Sequence, residues 1–306
     1  MYIVDGHCDT LLAMMLKKEN LTENSLQIDA KKLKETSCDF LQFFAVFESP
    51  SIKGDQALAD VNSMIDIFHR ECENNGFTKI LSKNDLSFKG LGGLLSVEGL
   101  YFLQGDEKEI DSLYEKGVRC LSLTWNPDNE FCGGIAGTSG NGLTKAGKKL
   151  IKKANKAGIL VDTSHITDQG FWDVAECADA PFVASHSNAR AICSHSRNLD
   201  DSMLKALKEA NGMTGINMYD SFLKDHGKAD IKDVVKHIEH IASVTSCDHV
   251  GFGTDFDGIP RDKSALDYPA DLMEVLEQLA RLNYSQENIE KIAGLNMIRI
   301  LKQVLK

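Results

Sequence analysis

Short apolar runs alternate with longer amphipathic runs along almost the whole chain, and this alternation restricts the fold more than any other feature. Runs of strand-like length and composition recur eight times, and helical patterns lie between most of them. The predicted strands are Tyr2–Asp5, Phe40–Phe47, Gly92–Val97, Arg119–Thr124, Ile159–Asp162, Pro181–Ser185, Met213–Asn217 and His249–Gly253. The predicted helices are Asp55–Asn74, Lys108–Lys116, Thr144–Ala157, Asp168–Ala178, Asp201–Ala210, Ile231–Thr245, Ala270–Leu282 and a last stretch from Ser285 to Leu305.

Strand–helix alternation repeated about eight times over about 250–300 residues is typical of a (β/α)8 TIM barrel. A doubly wound open sheet is the competing α/β fold. No linker rich in Pro, Gly or Ser and no shift in composition divides the 306 residues. We therefore predict a single (β/α)8 domain over residues 1–306 with a helical extension at its C-terminus.

Charge and cysteine usage limit the partners and the compartment. A net charge of −11 disfavours nucleic acid and anionic membrane surfaces, since both select for basic patches. The eight cysteines are scattered without a C-x-x-C pair, and several fall in apolar runs, as reduced thiols do. No leader-like segment and no apolar run of membrane-span length is present. We expect a cytoplasmic protein.

Ionisable residues come directly after the predicted strands. They are His7 and Asp9 after the first strand, Glu98 after the third, His165 after the fifth, His186 after the sixth, and Asp255 and Asp257 after the eighth. In a (β/α)8 barrel these strand ends converge on one mouth. So many ionisable groups in one small volume would repel one another or lose hydration unless cations bound them.

This residue set predicts a metal centre. Three imidazoles and several carboxylates are enough ligands for two divalent cations. Zinc is the usual choice for His, Asp and Glu without thiolates, and manganese, iron and cobalt accept the same ligand types. Taken singly, each histidine is compatible with a structural role and "DFDG" with an Asx-rich turn. The glycine-rich segment Cys132–Thr144 is expected to fold over the site, or else to be a surface excursion.

Several motifs, in this order, resemble the renal (membrane) dipeptidase family and its bacterial members. They are "DGHCDT", "VEG", "GLTKAGKKLIKKANKAGILVDTSH", "FVASHSNARAICSHSRNLDD" and "VGFGTDFDG", and they span residues 3 to about 260. The resemblance implies a barrel of the metal-dependent hydrolase type that holds two zinc ions and cleaves free dipeptides. It also implies tolerance of a D-residue at the C-terminal position, and some members of that family open β-lactams.

The resemblance also assigns the ligands, residue by residue. His7, Asp9 and Asp255 would bind one zinc, His165 and His186 the second, and Glu98 would bridge both. A water between two such metals becomes a hydroxide nucleophile near neutral pH. Glu98 and Asp255 are the predicted catalytic residues, with Asp255 passing the proton to the leaving amine.

Substrate binding is assigned to Arg197, Trp125 and Tyr219. Arg197 matches the family arginine that takes the substrate carboxylate, for which a guanidinium offers a bidentate fork. Trp125 stands where mammalian members carry a histidine, and some bacterial relatives share "LTWN". Tyr219 is the candidate for an aromatic hydroxyl, although Phe222 is nearer the expected spacing.

Two rival functions stay open at this point. A different hydrolase on the same metal scaffold could act on a lactone, an acyl-amide or a phosphoester, with Trp125 altering the substrate wall. A binding protein without activity would have lost metal ligands, and none of the six is missing. Asp162 and Asp257 either orient ligand histidines or form turns. A homodimer is compatible with the resemblance, and the sequence does not decide it.

Overall fold

The computed structural model describes residues 1–106 and 109–306. Its strands are β1 (Tyr2–Asp5), β2 (Asp39–Phe47), β3 (Thr78–Lys79), β4 (Leu91–Glu98), β5 (Val118–Ser122), β6 (Leu160–Asp162), β7 (Phe182–Ala184), β8 (Met213–Ile216) and β9 (Val250–Phe252). Its α-helices are α1 (Thr10–Lys17), α2 (Ala30–Glu35), α3 (Asp55–Asn75), α4 (Ile110–Glu115), α5 (Lys145–Ala157), α6 (Asp168–Cys177), α7 (Asp201–Glu209), α8 (Asp220–Leu223), α9 (Ile231–Val244), α10 (Leu272–Arg281), α11 (Gln286–Glu290) and α12 (Asn296–Val304).

Eight of these strands form a closed, wholly parallel barrel. The order is β1-β2-β4-β5-β6-β7-β8-β9, and pairing of Asp5 with Phe252 joins the last strand to the first. The predicted (β/α)8 TIM barrel is therefore confirmed, and the open doubly wound sheet is wrong. The two-residue β3 adds only to the first part of β4 and stands outside the ring.

All eight predicted strands correspond to barrel strands, with bounds that shift by one or two residues. The sequence pattern missed the short elements β3, α1, α2 and α8, each too brief to show a period. The predicted helix Lys108–Lys116 begins outside the described residues and is seen as α4. The predicted C-terminal helix is interrupted by a π-helical turn at Lys291–Leu295.

Helix ends follow ordinary capping chemistry. Thr144 precedes α5, and its hydroxyl accepts the Gly147 N–H at 3.1 Å. Gly158 ends the same helix with φ of 87°, a conformation that costs glycine nothing. In the described part of the chain, none of the helices has the length and apolarity that crossing a bilayer requires.

The C-terminal helix closes one end of the barrel. Inward-facing side chains of the strands, among them Val4, Leu94 and Val183, form one apolar cluster with Met297 and Leu301 of α12. Gly158, just before β6, lies against Val304 and Lys306. The helical extension thus covers the end where the strands begin, which leaves the opposite mouth free for polar side chains.

Asn296, the first residue of α12, fastens this helix to β9. It is buried, and its Nδ2 donates to the carbonyl oxygens of Cys247 at 2.7 Å and Val250 at 2.9 Å. Asn296→Ala should lower the free energy of unfolding by about 2–3 kcal/mol, because two carbonyls lose a buried donor. Urea unfolding followed by circular dichroism measures this. The matched change Gln303→Ala on the exposed face of α12 should stay within about 0.5 kcal/mol of the parent, and equal losses in the two variants would contradict this role of Asn296.

Candidate metal centre

Six ionisable side chains converge at the barrel mouth where the strands end, and all six are buried. They are His7 and Asp9 beyond β1, Glu98 as the last residue of β4, His165 beyond β6, His186 beyond β7 and Asp255 beyond β9. The structure therefore brings together every residue that the sequence predicted as a ligand. His7 and Asp9 lie past the end of β1 at Asp5 rather than on the strand.

The carboxylate of Glu98 lies at the middle of the cluster. Its Oε1 is 2.9 Å from Nε2 of His165 and 3.5 Å from Nε2 of His186. Its other oxygen, Oε2, is 3.6 Å from Nε2 of His7. The two oxygens of one carboxylate thus face two separate groups of side chains.

The second group gathers around His7. Its Nε2 is 3.4 Å from Oδ2 of Asp9 and 3.9 Å from Oδ1 of Asp255. On the other side of Glu98, Nε2 of His165 and Nε2 of His186 are only 2.8 Å apart. Two imidazole nitrogens and a carboxylate oxygen therefore point at one another, and their lone pairs repel. A cation bound between them would remove this repulsion.

The electrostatics of the cluster lower the pKa of two histidines and raise the pKa of the third. Burial lowers the pKa of His165 to about 4, with Arg197 adding to the effect, and burial and His7 hold the pKa of His186 well below its ordinary value. Both are therefore neutral near pH 7, the form in which imidazole binds metals. Burial opposes the charge of His7, but the Glu98 and Asp9 carboxylates outweigh it and raise the pKa of His7.

The carboxyl groups respond to the same surroundings. Burial would raise the pKa of Glu98, but the charges of His7 and His165 hold it well below its ordinary value. Burial raises the pKa of Asp255 to about 7, and it raises the pKa of Asp9. The protein alone leaves these charges incompletely balanced.

The side chains fit divalent cations. Nε2 of His7 and Oδ1 of Asp9 are buried and, within the described residues, have no hydrogen-bond partner. Such orphaned atoms are costly unless a ligand satisfies them. Ligand atoms within 4.8 Å of one another form three overlapping triads: His7, His186 and Asp255; Glu98, His165 and His186; and His7, Asp9 and Glu98. Nitrogen and carboxylate donors without thiolates suit zinc and similar metals.

Hydrogen bonds behind the cluster fix the two neutral imidazoles. The side-chain amide oxygen (Oδ1) of Asn126 is 2.9 Å from Nδ1 of His165, so that nitrogen carries the proton and Nε2 offers its lone pair. His186 Nδ1 is 2.7 Å from the hydroxyl of Ser185, which donates to Asp162 at 2.6 Å. Asp162 therefore orients His186 through Ser185, in the manner of groups that support metal ligands.

Asp257 holds the wall of the site. Its carboxylate accepts the Thr10 hydroxyl at 2.7 Å and the N–H groups of Gln27 at 2.7 Å and Ile28 at 3.4 Å. It therefore ties the segment between α1 and α2 to the turn after β9, two residues from Asp255. The sequence left two roles open for Asp257, to orient a ligand histidine or to form a turn. The contacts of its carboxylate are with Thr10, Gln27 and Ile28, so its main role is to join two segments of the chain.

Two of the ligand-bearing turns carry strained backbone. His165 has φ of 71°, and Asp255 and Asp257 have φ of 63° and 64°. Residues with a side chain enter this left-handed region at a cost of about 1–3 kcal/mol and remain there when the surroundings impose it. The strain aims His165 and Asp255 inward from the ends of β6 and β9.

A cavity of about 450 Å³ opens beside the cluster. Its floor is acidic, with Asp9, Glu98, Asp255 and Asp257. Its walls are largely apolar and include Leu12, Leu16, Leu26, Phe47, Trp125 and Ile259. Lys17 and Arg261 complete the lining as its two cationic side chains. The volume suits a small organic molecule.

The three predicted substrate residues occupy different places. Trp125 is part of the cavity wall, with its ring 5.2 Å from that of Phe47. Arg197 is buried beside the cluster, where it donates to the Ser187 hydroxyl at 3.1 Å and to the His186 carbonyl at 3.3 Å. Tyr219 does not line the cavity; its ring meets Phe222 edge-on at 4.9 Å.

Phe222 rather than Tyr219 touches the arginine, since Cζ of Arg197 lies 5.4 Å from its ring centre. The glycine-rich segment 132–144 supports the site from behind, because Ile135 N–H donates to the His165 carbonyl at 2.7 Å. Within the described residues it contributes nothing to the cavity lining. A Cβ on Gly134 would lie 2.2 Å from the Pro127 carbonyl, so close packing requires glycine there.

Sequence reasoning missed the supporting polar residues. Asn217 directly follows β8 and donates to Oδ2 of Asp255 at 2.8 Å, and Ser185 and Asn126 hold the histidines. Each of these residues stands at a strand end or next to a residue that the sequence did single out. That position could have marked them as members of the site. The cations Lys17 and Arg261 carry no such signal, since neither follows a strand directly.

Comparison with known proteins finds similar sequences and similar structures. Residues 1–306 match the profile of the family described as membrane dipeptidase, peptidase family M19. An uncharacterized protein of Klebsiella pneumoniae is 35% identical over 71% of this chain and 83% of its own length. An uncharacterized dipeptidase of Schizosaccharomyces pombe is 30% identical over 98% of this chain and 80% of its own. The crystal structure of a metallopeptidase from Rhodobacter sphaeroides, liganded with a phosphinate mimic of the dipeptide L-Ala-D-Ala, superposes with a TM-score of 0.89 at 26% identity over 99% of each chain.

Zinc should stabilise the folded chain through Glu98. Adding Zn²⁺ to chelator-treated protein should raise its melting temperature by about 5 °C or more, because the cation binds only the folded cluster. Glu98→Ala should lose most of this rise and most of the bound metal, measured by calorimetry and elemental analysis. The exposed control Glu130→Ala should behave as the parent, and a full zinc response in Glu98→Ala would rule out Glu98 as a ligand.

Ser185→Ala tests the support of His186. Loss of the hydroxyl frees the imidazole from Asp162, so metal affinity should fall about tenfold while the fold is retained. Isothermal titration with Zn²⁺ measures the affinity, and the melting temperature of the apoprotein reports the fold. Ser243→Ala, on the exposed face of α9, is the control. An unchanged affinity in Ser185→Ala would show that the hydroxyl does not position the ligand.

Proposed function

Because the chain belongs to the membrane dipeptidase family, peptidase family M19, and is a metallodipeptidase, we propose that it uses two divalent cations, zinc in the first place, to hydrolyse free dipeptides. One observation carries the dinuclear part of this proposal. Oε1 of Glu98 faces His165 and His186, whereas Oε2 faces His7. A carboxylate with each oxygen directed at a different group of ligands is suited to bridge two cations.

The remaining ligands divide between the two sites. His7, Asp9 and Asp255 would hold one cation, and His165 and His186 would hold the other. When bound, such a pair lowers the pKa of a water nucleophile and polarises the scissile carbonyl. The chain's own contribution is to keep His165 and His186 neutral and oriented through Asn126 and Ser185.

Arg197 is the proposed site of the substrate carboxylate. Its guanidinium is buried, and in the described chain it makes no ion pair within 4 Å, while its Nε has no hydrogen-bond partner. Asp255 and Glu98 act on it only at longer range. A buried arginine that lacks a carboxylate partner gains one when an acid binds, and its planar fork can hold both oxygens.

Asp255 is the proposed proton carrier. Asn217 donates to its Oδ2 at 2.8 Å, which leaves Oδ1 directed toward the cluster, 3.9 Å from Nε2 of His7. An oxygen at the edge of both the cluster and the cavity can accept a proton from the nucleophile and return it to the departing amine. The turn that carries Asp255 is held by its left-handed backbone.

The cavity walls define the rest of the substrate site. The indole of Trp125 and the ring of Phe47 form an apolar wall that excludes water from the scissile bond. We include dipeptides with a C-terminal D-residue among the substrates, since the similar Rhodobacter sphaeroides metallopeptidase is liganded with a mimic of L-Ala-D-Ala. The eight free thiols support a reducing, cytoplasmic compartment.

Arg197→Met tests the carboxylate site. Its kcat/KM for L-Ala-L-Ala and L-Ala-D-Ala should fall about 100-fold, because the substrate carboxylate loses its charged partner. For L-Ala-L-Ala amide, which has no carboxylate, the same change should lower kcat/KM about threefold or less. Initial rates of the zinc-loaded protein measure both, and Arg281→Met on the exposed face of α10 is the control.

The same initial-rate assay tests the substrate class. The zinc-loaded parent should cleave both dipeptides and leave N-acetyl-L-Ala-L-Ala and simple esters largely intact. A fully metal-loaded protein that hydrolysed esters or acyl-amides but no dipeptide would replace this proposal with the alternative hydrolase. Equal losses on the dipeptide and its amide in Arg197→Met would remove the arginine from the carboxylate site.

A further inference from the structure

The cavity beside the cluster has two cationic side chains at its rim. Lys17 is the last residue of α1, and Arg261 begins a short 3₁₀ turn after β9. They are far apart in the sequence, and both line this cavity because β1 and β9 are neighbours in the barrel. Neither residue is assigned a role in the proposed reaction.

The charge of Lys17 acts on Glu19 and Asp257 only at longer range, and both acids have other donors. Glu19 accepts the N–H and the hydroxyl of Ser25 at 2.6 and 2.5 Å, and Asp257 accepts its own donors from Thr10, Gln27 and Ile28. Within the described residues Lys17 has no ion pair and no hydrogen bond from its ammonium group. An exposed cation in this position is available to a bound molecule.

Arg261 is held at the rim by its own turn. Its Cζ lies 4.1 Å from the ring centre of Tyr268, and its Nε is 3.6 Å from Oδ1 of Asp267. The Asp267 side chain is 66% exposed, so this pairing is a weak one in water. Stacking on Tyr268 fixes the guanidinium while leaving donors free.

The acids on the cavity floor do not compete for these cations when metals are bound. Asp9, Glu98 and Asp255 are the proposed ligands, so their charge is directed to the cations, and Asp257 is satisfied by three donors. Between floor and rim the walls are apolar, and a low-dielectric wall strengthens the attraction between opposite charges. The loaded cavity therefore favours an anionic group at its outer end.

The separation of Arg197 from the two rim cations bears on which end of a dipeptide lies there. Arg197 lies in the loop after β7 and lines a separate small crevice with Thr163 and Ser187. Lys17 and Arg261 line the large cavity and not this crevice, and the cluster residue His165 lines both. A substrate whose carboxylate rests on Arg197 therefore extends its amino-terminal residue toward the cationic rim.

We infer that Lys17 and Arg261 select dipeptides whose amino-terminal residue has an acidic side chain, aspartyl or glutamyl. The inference rests on the proposed dipeptidase function and adds the substrate class. The side-chain carboxylate would lie between the ammonium of Lys17 and the guanidinium of Arg261. The amide analogues asparaginyl and glutaminyl have the same shape and lack the charge.

The test uses the zinc-loaded full chain and four dipeptides, Glu-Ala, Gln-Ala, Ala-Glu and Ala-Gln. The parent should have a kcat/KM for Glu-Ala about tenfold above that for Gln-Ala, the size expected of two partly exposed ion pairs. The ratio of Ala-Glu to Ala-Gln should be close to one. Lys17→Met/Arg261→Met should bring the first ratio to about one, and Lys17→Glu/Arg261→Glu should bring it below one, because two carboxylates then repel the glutamyl side chain.

Matched exposed residues far from the mouth give the control. Lys302→Met/Arg281→Met, on α12 and α10, should keep both ratios of the parent. A parent that cleaves Glu-Ala and Gln-Ala equally, or that discriminates only at the C-terminal position, overturns the inference while leaving dipeptidase activity in place. So does a Lys17→Met/Arg261→Met variant that melts at a lower temperature but keeps the tenfold ratio, since Lys17 would then merely stabilise the C-terminus of α1. Absence of hydrolysis of all four overturns the proposed function instead.

Discussion

Closure of the parallel barrel is the constraint on which the rest of the structure depends. Once β9 pairs with β1, every strand ends at the same mouth, and whatever follows the strands must share that space. This protein places three imidazoles and three carboxylates there, all buried. Such a set is unstable by itself, because desolvation and like charges oppose it. Divalent cations convert the same set into a favourable one.

The fold was predictable from the sequence because the barrel strands are short apolar runs at regular intervals. The candidate ligands could be singled out for a related reason, since His165, His186 and Asp255 interrupt apolar runs at the point where a strand must end. Short elements such as α8 and β3 gave no pattern, because four and two residues do not define a period. The left-handed backbone of His165 was equally hidden, since its sequence neighbourhood contains no glycine to mark it.

The parts that sequence could not supply are those made by distant segments. Lys17 and Arg261 look like any exposed cations in their own helices and turns, and only the barrel brings them to one rim. Arg197 was singled out through a resemblance, and its burial without an acid partner among the described residues gives that choice a physical reason. Tyr219 was chosen over Phe222 for its hydroxyl, whereas the ring next to the arginine is that of Phe222.

The position of Asp257 couples the shape of the cavity wall to the position of Asp255 in the cluster. The same short turn carries Asp255 into the cluster and, through Asp257, holds the Gln27–Ile28 stretch that forms part of the cavity wall. A substitution that reshapes this wall to admit new side chains also loosens the turn that presents a ligand. Variants whose cavity admits larger side chains are therefore expected to bind a metal ion at the cluster less tightly.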